Sequence, residues 1–188
     1  SQQDKRGIVI LAGAGLIVVG LLVISFLVPK EAEYDPETLC PYDRSYKNYT
    51  VIVDKTDPFT GLQSTFLRSE IDRLRQKTMR QFDKITFYVL RHRASVDAGP
   101  IFAMCKPGSG MKANALYQNP QKIRLRFETQ FGKPLDDLVR ELTRGEKAPE
   151  SPIMEMIKNV AFREVFAKSL GDAELIIFSD MLQHVLGR

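Results

Sequence analysis

The chain has 188 residues, 44% of them hydrophobic, enough for one domain with a sizeable core and not comfortably for two. Its 27 basic residues stand against 23 acidic ones, and the net charge of +4 comes without a basic block or interleaved aromatics, which argues against a nucleic acid as partner. Two cysteines, Cys40 and Cys105, are too few for a metal cluster or a disulfide scaffold. They can pair if the domain faces an oxidising compartment; otherwise each is a small core or surface residue.

In chain order, residues 1–6 read as a short tail, and Gly7 to Val28 follow without one charged residue. At ~1.5 Å per residue a helix over 7–28 reaches about 33 Å, enough for a bilayer core of ~30 Å, so the stretch reads as a single transmembrane helix contacting lipid. A cleaved signal peptide fits less well, because Phe26-Leu27-Val28-Pro29-Lys30 offers no small-residue cleavage site. Ala12, Gly13, Ala14, Gly15 and Gly20 would let another helix approach closely, and the lack of any ionisable residue argues against an ion path. Lys5 and Arg6 precede the helix, while Lys30, Glu31, Glu33, Asp35 and Glu37 follow it. By the positive-inside rule the N-terminus is cytoplasmic and the larger domain lies outside the cytoplasm. On that side the Asn48-Tyr49-Thr50 triplet is a candidate glycosylation acceptor. Residues 29–49, polar and carrying Pro36 and Pro41, read as a tether from the membrane to the folded domain, which spans 50–188.

The domain opens on Val51-Ile52-Val53, an unbroken apolar run with the pattern of a strand buried on both faces of a parallel sheet. It stops at Asp54, and Lys55-Thr56-Asp57-Pro58 leads to Thr60 and Gln63, which have the spacing of a capping box. A helix over Gln63 to Phe82 would place Phe66, Leu67, Ile71, Leu74, Thr78 and Phe82 on one face. Ile85–Leu90 and Ile101–Cys105 read as strands joined by a link too short for a crossover helix, hence as an antiparallel hairpin. Lys106-Pro107-Gly108-Ser109-Gly110 reads first as a turn; it lacks the Gly-Lys-Ser/Thr ending of a phosphate-binding loop. Asn119-Pro120 caps a helix to Phe131, a second helix runs from Pro134 to Arg144, and Ser151-Pro152 opens a third, running to Leu170. Ala173 to Phe178 is again an apolar strand that halts at an acid, Asp180, before a further helical start over Met181 to Leu186. The whole reads as an α/β fold, a Rossmann-like three-layer sandwich. In such sheets ligands bind in the crevice outside the carboxyl ends of the strands, where Asp54, Thr56, Asp57 and Asp180 would meet.

Those two strand ends resemble the von Willebrand factor A family. Val51-Ile52-Val53-Asp54-Lys55-Thr56 stands where that family has its first strand and Asp-x-Ser-x-Ser loop, and Leu175-Ile176-Ile177-Phe178-Ser179-Asp180 stands where it has a strand ending in Thr-Asp-Gly. The order of elements (strand, helix, hairpin, helices, strand) also fits. The resemblance implies a metal-ion-dependent adhesion site in which Asp54, Thr56 and Asp180 hold Mg²⁺ and an acidic residue of a partner completes the shell. It departs from the family where Pro58 replaces the second hydroxyl and Met181 the glycine, and Ser109 is offered for the middle-loop threonine.

Two functions follow. The first is a membrane-anchored, non-catalytic interaction module, a subunit that binds other proteins of a membrane-associated complex. The second is a Mg²⁺-dependent phosphoryl hydrolase using Asp54, Asp57 and Asp180, although Asp54-Lys55-Thr56-Asp57 sets its second acid one residue late for the Asp-x-Asp-x-Thr pattern. The two histidines, His92 and His184, assemble no catalytic triad.

Overall fold

β-branched and aromatic residues dominate Tyr46–Asp54 (β1) and Lys84–Leu90 (β2), and both strands are buried along nearly their whole length. With Phe102–Cys105 (β3) and Leu170–Phe178 (β4) they form a four-stranded sheet in the order β3-β2-β1-β4. β1 runs parallel to both β2 and β4, and β2 pairs with β3 antiparallel, as the short link between them requires. The computed structural model describes residues 11, 13–23, 33–42, 46–110, 119–144, 148, 150–165 and 170–180. The chain divides into two units, Ser1–Ala32 and Glu33–Arg188.

Alternation along the strands sends side chains to two cores. On one face Tyr49, Val51, Val53, Ile85, Phe87 and Val89 meet Leu67, Ile71 and Leu74 of one helix and Phe131, Leu135, Val139 and Leu142 of another. On the opposite face Ile52, Tyr88 and Leu90 meet Ile153, Met156 and Val160. Helices therefore cover both faces of a mixed sheet, an α/β architecture compatible with a Rossmann-like sandwich.

The first of these helices is Gly61–Arg73 (α1), begun by the expected capping box: Thr60 accepts from the Gln63 N–H at 3.2 Å, and Gln63 accepts from the Thr60 N–H at 2.8 Å. It continues as a π turn over Leu74–Thr78 and stops there, short of the Phe82 expected from its apolar spacing. Lys106 caps this end. Its ammonium takes the carbonyls of Arg75 (2.5 Å) and Met79 (2.8 Å) that a longer helix would have used, and burial lowers its pKa. Phe82 sits half-buried at φ 73°.

Pro120–Arg126 (α2) and Lys133–Leu142 (α3) were expected as separate helices. They are joined through a π turn over Phe127–Gly132 with helical backbone throughout. Pro134 cannot donate to the carbonyl four residues back, and the wider π turn accommodates its ring without ending the helix. Ile153–Val165 (α4) is shorter than expected, because Leu170 already belongs to β4.

Residues 33–42 are folded onto the domain and do not form the tether read from their polarity. Asp35 Oδ1 accepts from the Glu37 N–H at 2.8 Å, which lowers the Asp35 pKa, and Tyr34 bridges to Pro41. Leu39 is buried in the larger core, and Cys40 is disulfide-bonded to Cys105 of β3. The glycosylation candidate fails for a similar reason. Asn48 is fully buried in β1, its amide donating to Thr50 at 3.1 Å and accepting from Thr86 at 3.0 Å, so no glycan fits there.

In the unit Ser1–Ala32, residues 11 and 13–23 are helical and every large apolar side chain described is exposed, from 50% at Val23 to 74% at Leu11 and Leu16. Among the described residues no helix is long and apolar enough to cross a membrane. The rest of the expected span 7–28, the tail 1–6, the expected helix over Met181 to Leu186 and His184 lie outside the described residues.

Candidate functional site

Parallel pairing puts Val53 opposite Phe178, so the loops leaving β1 and β4 start side by side. They line one cleft of about 170 Å³ with Asp54, Thr56, Asp57, Pro58, Phe178 and Asp180 among its walls. Phe66 of α1 stands edge-on to Phe178, ring centroids 6.2 Å apart, and adds an apolar wall. The four acids and hydroxyls expected at the carboxyl ends of the strands thus share one crevice. Asp57 and Asp180 are exposed at it, whereas Asp54 and Thr56 are buried.

Asp54 is the centre of the arrangement. Its Oδ1 accepts from the Thr56 N–H at 3.0 Å and from the Thr56 hydroxyl at 2.7 Å; its Oδ2 accepts from Ser151 Oγ at 2.9 Å and from Ser179 Oγ at 3.0 Å. A carboxylate offers about four lone-pair directions, and these four donors fill them. One side chain therefore joins three segments: the loop after β1, the approach to α4 at Ser151, and the end of β4.

Lys55, next in sequence, is only 1% exposed. Its N–H donates to the Leu90 carbonyl at 2.8 Å, extending the pairing with β2, and its ammonium reaches the Glu141 carbonyl near the end of α3 at 3.4 Å. A cation at a helix C-terminus is favourable to the helix dipole. The Ala148 N–H donates to the Thr56 carbonyl at 2.8 Å and ties a further loop to the rim.

No protein-family model, curated protein or solved structure matches the chain. The site therefore has to be read from its own chemistry. Ser109, offered as the middle-loop hydroxyl, lies at the wrong end of the sheet. β3 runs antiparallel, with Cys105 opposite Lys84 at the start of β2, so the loop after β3 is at the amino ends of β1 and β2. The glycine there serves packing: Gly110 has φ +79°, and a Cβ on it would stand 2.6 Å from the Pro120 carbonyl oxygen.

The hydroxyl that reaches Asp54 from before α4 is Ser151, buried behind the cleft and read from sequence only as the opener of a helix. A hydroxyl before a proline at the start of the last helix ahead of an acid-terminated strand was its only sequence signal. Ser179, inside the quoted strand end, had likewise no assigned role. His92 is exposed beside the 3₁₀ turn Arg93–Asp97 and takes no part in the cleft. Among the described residues no three His, Cys, Asp or Glu side chains are grouped so as to hold a metal ion. Such an ion would have to use hydroxyl oxygens.

Proposed function

We propose that this chain is a membrane-anchored interaction module, a non-catalytic subunit of a membrane-associated complex, with a von Willebrand factor A-like domain. The observation that carries the reading is the saturation of Asp54. A nucleophile or general base needs a lone pair directed at the substrate, and all four directions at Asp54 are spent on Thr56, Ser151 and Ser179. The same bonds fix the relative position of three segments, which suits a preformed recognition surface.

Three further observations support it. The exposed apolar side chains of residues 13–23 need lipid or another helix around them, since water would be a poor solvent for all of them at once. The Cys40–Cys105 disulfide favours a compartment outside the cytoplasm, in line with the charge balance around 7–28. The order strand, helix, hairpin, helices, strand, with acids and hydroxyls after β1 and β4, resembles that of the family named above.

The donor chemistry suits Mg²⁺, a hard cation that takes oxygen ligands. The Thr56 hydroxyl gives its proton to Asp54 and keeps oxygen lone pairs at the cleft, so it and the Asp180 carboxylate would hold the ion, with Asp54 orienting the hydroxyl. When bound there, Mg²⁺ supplies a point of attachment for a carboxylate of the partner.

The test uses the full chain in its own membranes. Alkaline carbonate washing is expected to leave it in the membrane pellet, extraction in mild detergent to bring partner proteins with it through purification, and protease added to the outer face to degrade residues 33–188. Release by carbonate together with purification as a lone protein would overturn the reading.

A further inference from the structure

The amino-end pole of the sheet, opposite the Asp54 cleft, gathers cations from segments far apart in the chain. Residues 77–84 lead into β2, residues 106–110 leave β3, and residues 119–126 cap and form α2. They meet at Gly108, where an added Cβ would stand 3.0 Å from Gln81 Nε2 and 3.6 Å from Ile123 Cγ2, and at Gly110, which packs against Pro120. The three segments carry seven lysines and arginines against one acid, Asp83. That acid is buried and occupied, accepting from the Arg80 N–H at 2.7 Å and the Lys47 N–H at 3.3 Å.

Cations elsewhere on the same helices are matched by acids. Arg73, Arg75 and Arg140 each stand within 3.2 Å of a carboxylate, whereas Lys77, Arg80, Lys122 and Arg124 are exposed and, among the described residues, pair with none. Met111 to Gln118, which join the second segment to the third, add Lys112 and no acid, so the sign of the charge does not depend on their course. Leu125, 64% exposed, shares the outer face of α2 with Lys122, three positions away. An apolar side chain among cations suits the boundary between lipid headgroups and acyl chains better than it suits a free anion.

The chain enters the domain beside these cations, with the Arg126 guanidinium over the Tyr34 ring, 5.2 Å from its centroid. Folding of 33–42 leaves only residues 29–32 between the expected span 7–28 and Glu33. At ~3.5 Å per residue the five steps from Val28 to Glu33 reach about 18 Å. With 7–28 in a bilayer, chain length alone keeps Tyr34 and Arg126 close to the headgroups. We propose that this basic pole docks on the phosphate-bearing headgroups of anionic lipid around the anchor, which leaves the Asp54 cleft, at the other ends of the strands, open to partners in water. The proposal rests on the reading of 7–28 as a membrane anchor. Attraction of lysine and arginine to an anionic surface fades over about a Debye length, ~8 Å at physiological salt, and is therefore sensitive to salt.

The test is hydrogen exchange by mass spectrometry on the full chain in phosphatidylcholine nanodiscs with and without phosphatidylglycerol. Exchange in 77–84 and 119–126 is expected to slow about threefold when phosphatidylglycerol is present, to return to its neutral-disc rate at high salt, and to stay unchanged at the cleft over 54–60. Lys122→Glu with Arg124→Glu, at two exposed positions, is expected to abolish the slowing and leave exchange in β1 and β2 as in the wild type. Entry into both discs without lipid-dependent slowing, slowing that survives the double variant, or the same slowing from inorganic phosphate with neutral discs overturns the headgroup proposal alone. A chain that enters neither disc overturns the anchor, and the proposal with it.

Discussion

Replacing Asp54 with alanine is expected to destabilise the domain by about 3 kcal/mol, because several buried donors lose their acceptor at once. The Thr56 amide and the hydroxyls of Thr56, Ser151 and Ser179 all end on this carboxylate. Relief of the carboxylate's own desolvation offsets part of that loss, which keeps the total below the sum of four separate bonds. Asp54→Asn should cost less, about 1–2 kcal/mol: its amide oxygen still accepts, and a serine hydroxyl facing the new NH₂ can rotate to receive it. Urea denaturation of the full chain in detergent measures both. Equal and small losses for the two variants would mean that Asp54 does not hold the three segments together.

The second large effect is expected at the disulfide. Cys40 and Cys105 are 65 residues apart, and the chain-entropy estimate for a loop of that size is about 4 kcal/mol. Cys40→Ser with Cys105→Ser, or reduction, is therefore expected to lower the melting temperature by roughly 10 °C, at a few degrees per kcal/mol for a domain of this size. The loss should begin at residues 33–42, where the bond holds Leu39 in the core and covers the free side of β3. Proteolysis after reduction should cut within 33–42 before it reaches β1. A melting temperature indifferent to reductant would show that the pairing contributes nothing to the folded state.

The sheet and its crevice were legible because buried parallel strands read as plain apolar runs. Val51-Ile52-Val53 ending at Asp54 and Leu175 to Phe178 ending near Asp180 needed no partner to be recognised, and Thr60 with Gln63 marked the helix between. What stayed hidden depends on contacts distant in sequence. Ser151 reaches Asp54 across 97 positions, and nothing local to Ser151-Pro152 says which acid it will meet. Ser109 was misplaced because recognising the β2–β3 hairpin does not by itself show that it carries the following loop to the opposite end of the sheet. Residues 33–42 looked like a tether because a short segment pinned by one disulfide and one buried leucine has no periodicity to read. The break expected between α2 and α3 rested on Pro134, and the π turn absorbs it.

Whether the carboxylate of Asp54 is structural or reactive is measured most directly by phosphate release from phosphomonoester and phosphodiester substrates with Mg²⁺, comparing the wild-type chain with Asp54→Asn. No turnover above background is expected from either protein, with the variant still folded. Mg²⁺-dependent turnover by the wild type that disappears in folded Asp54→Asn would contradict the account and make the cleft a phosphoryl hydrolase site.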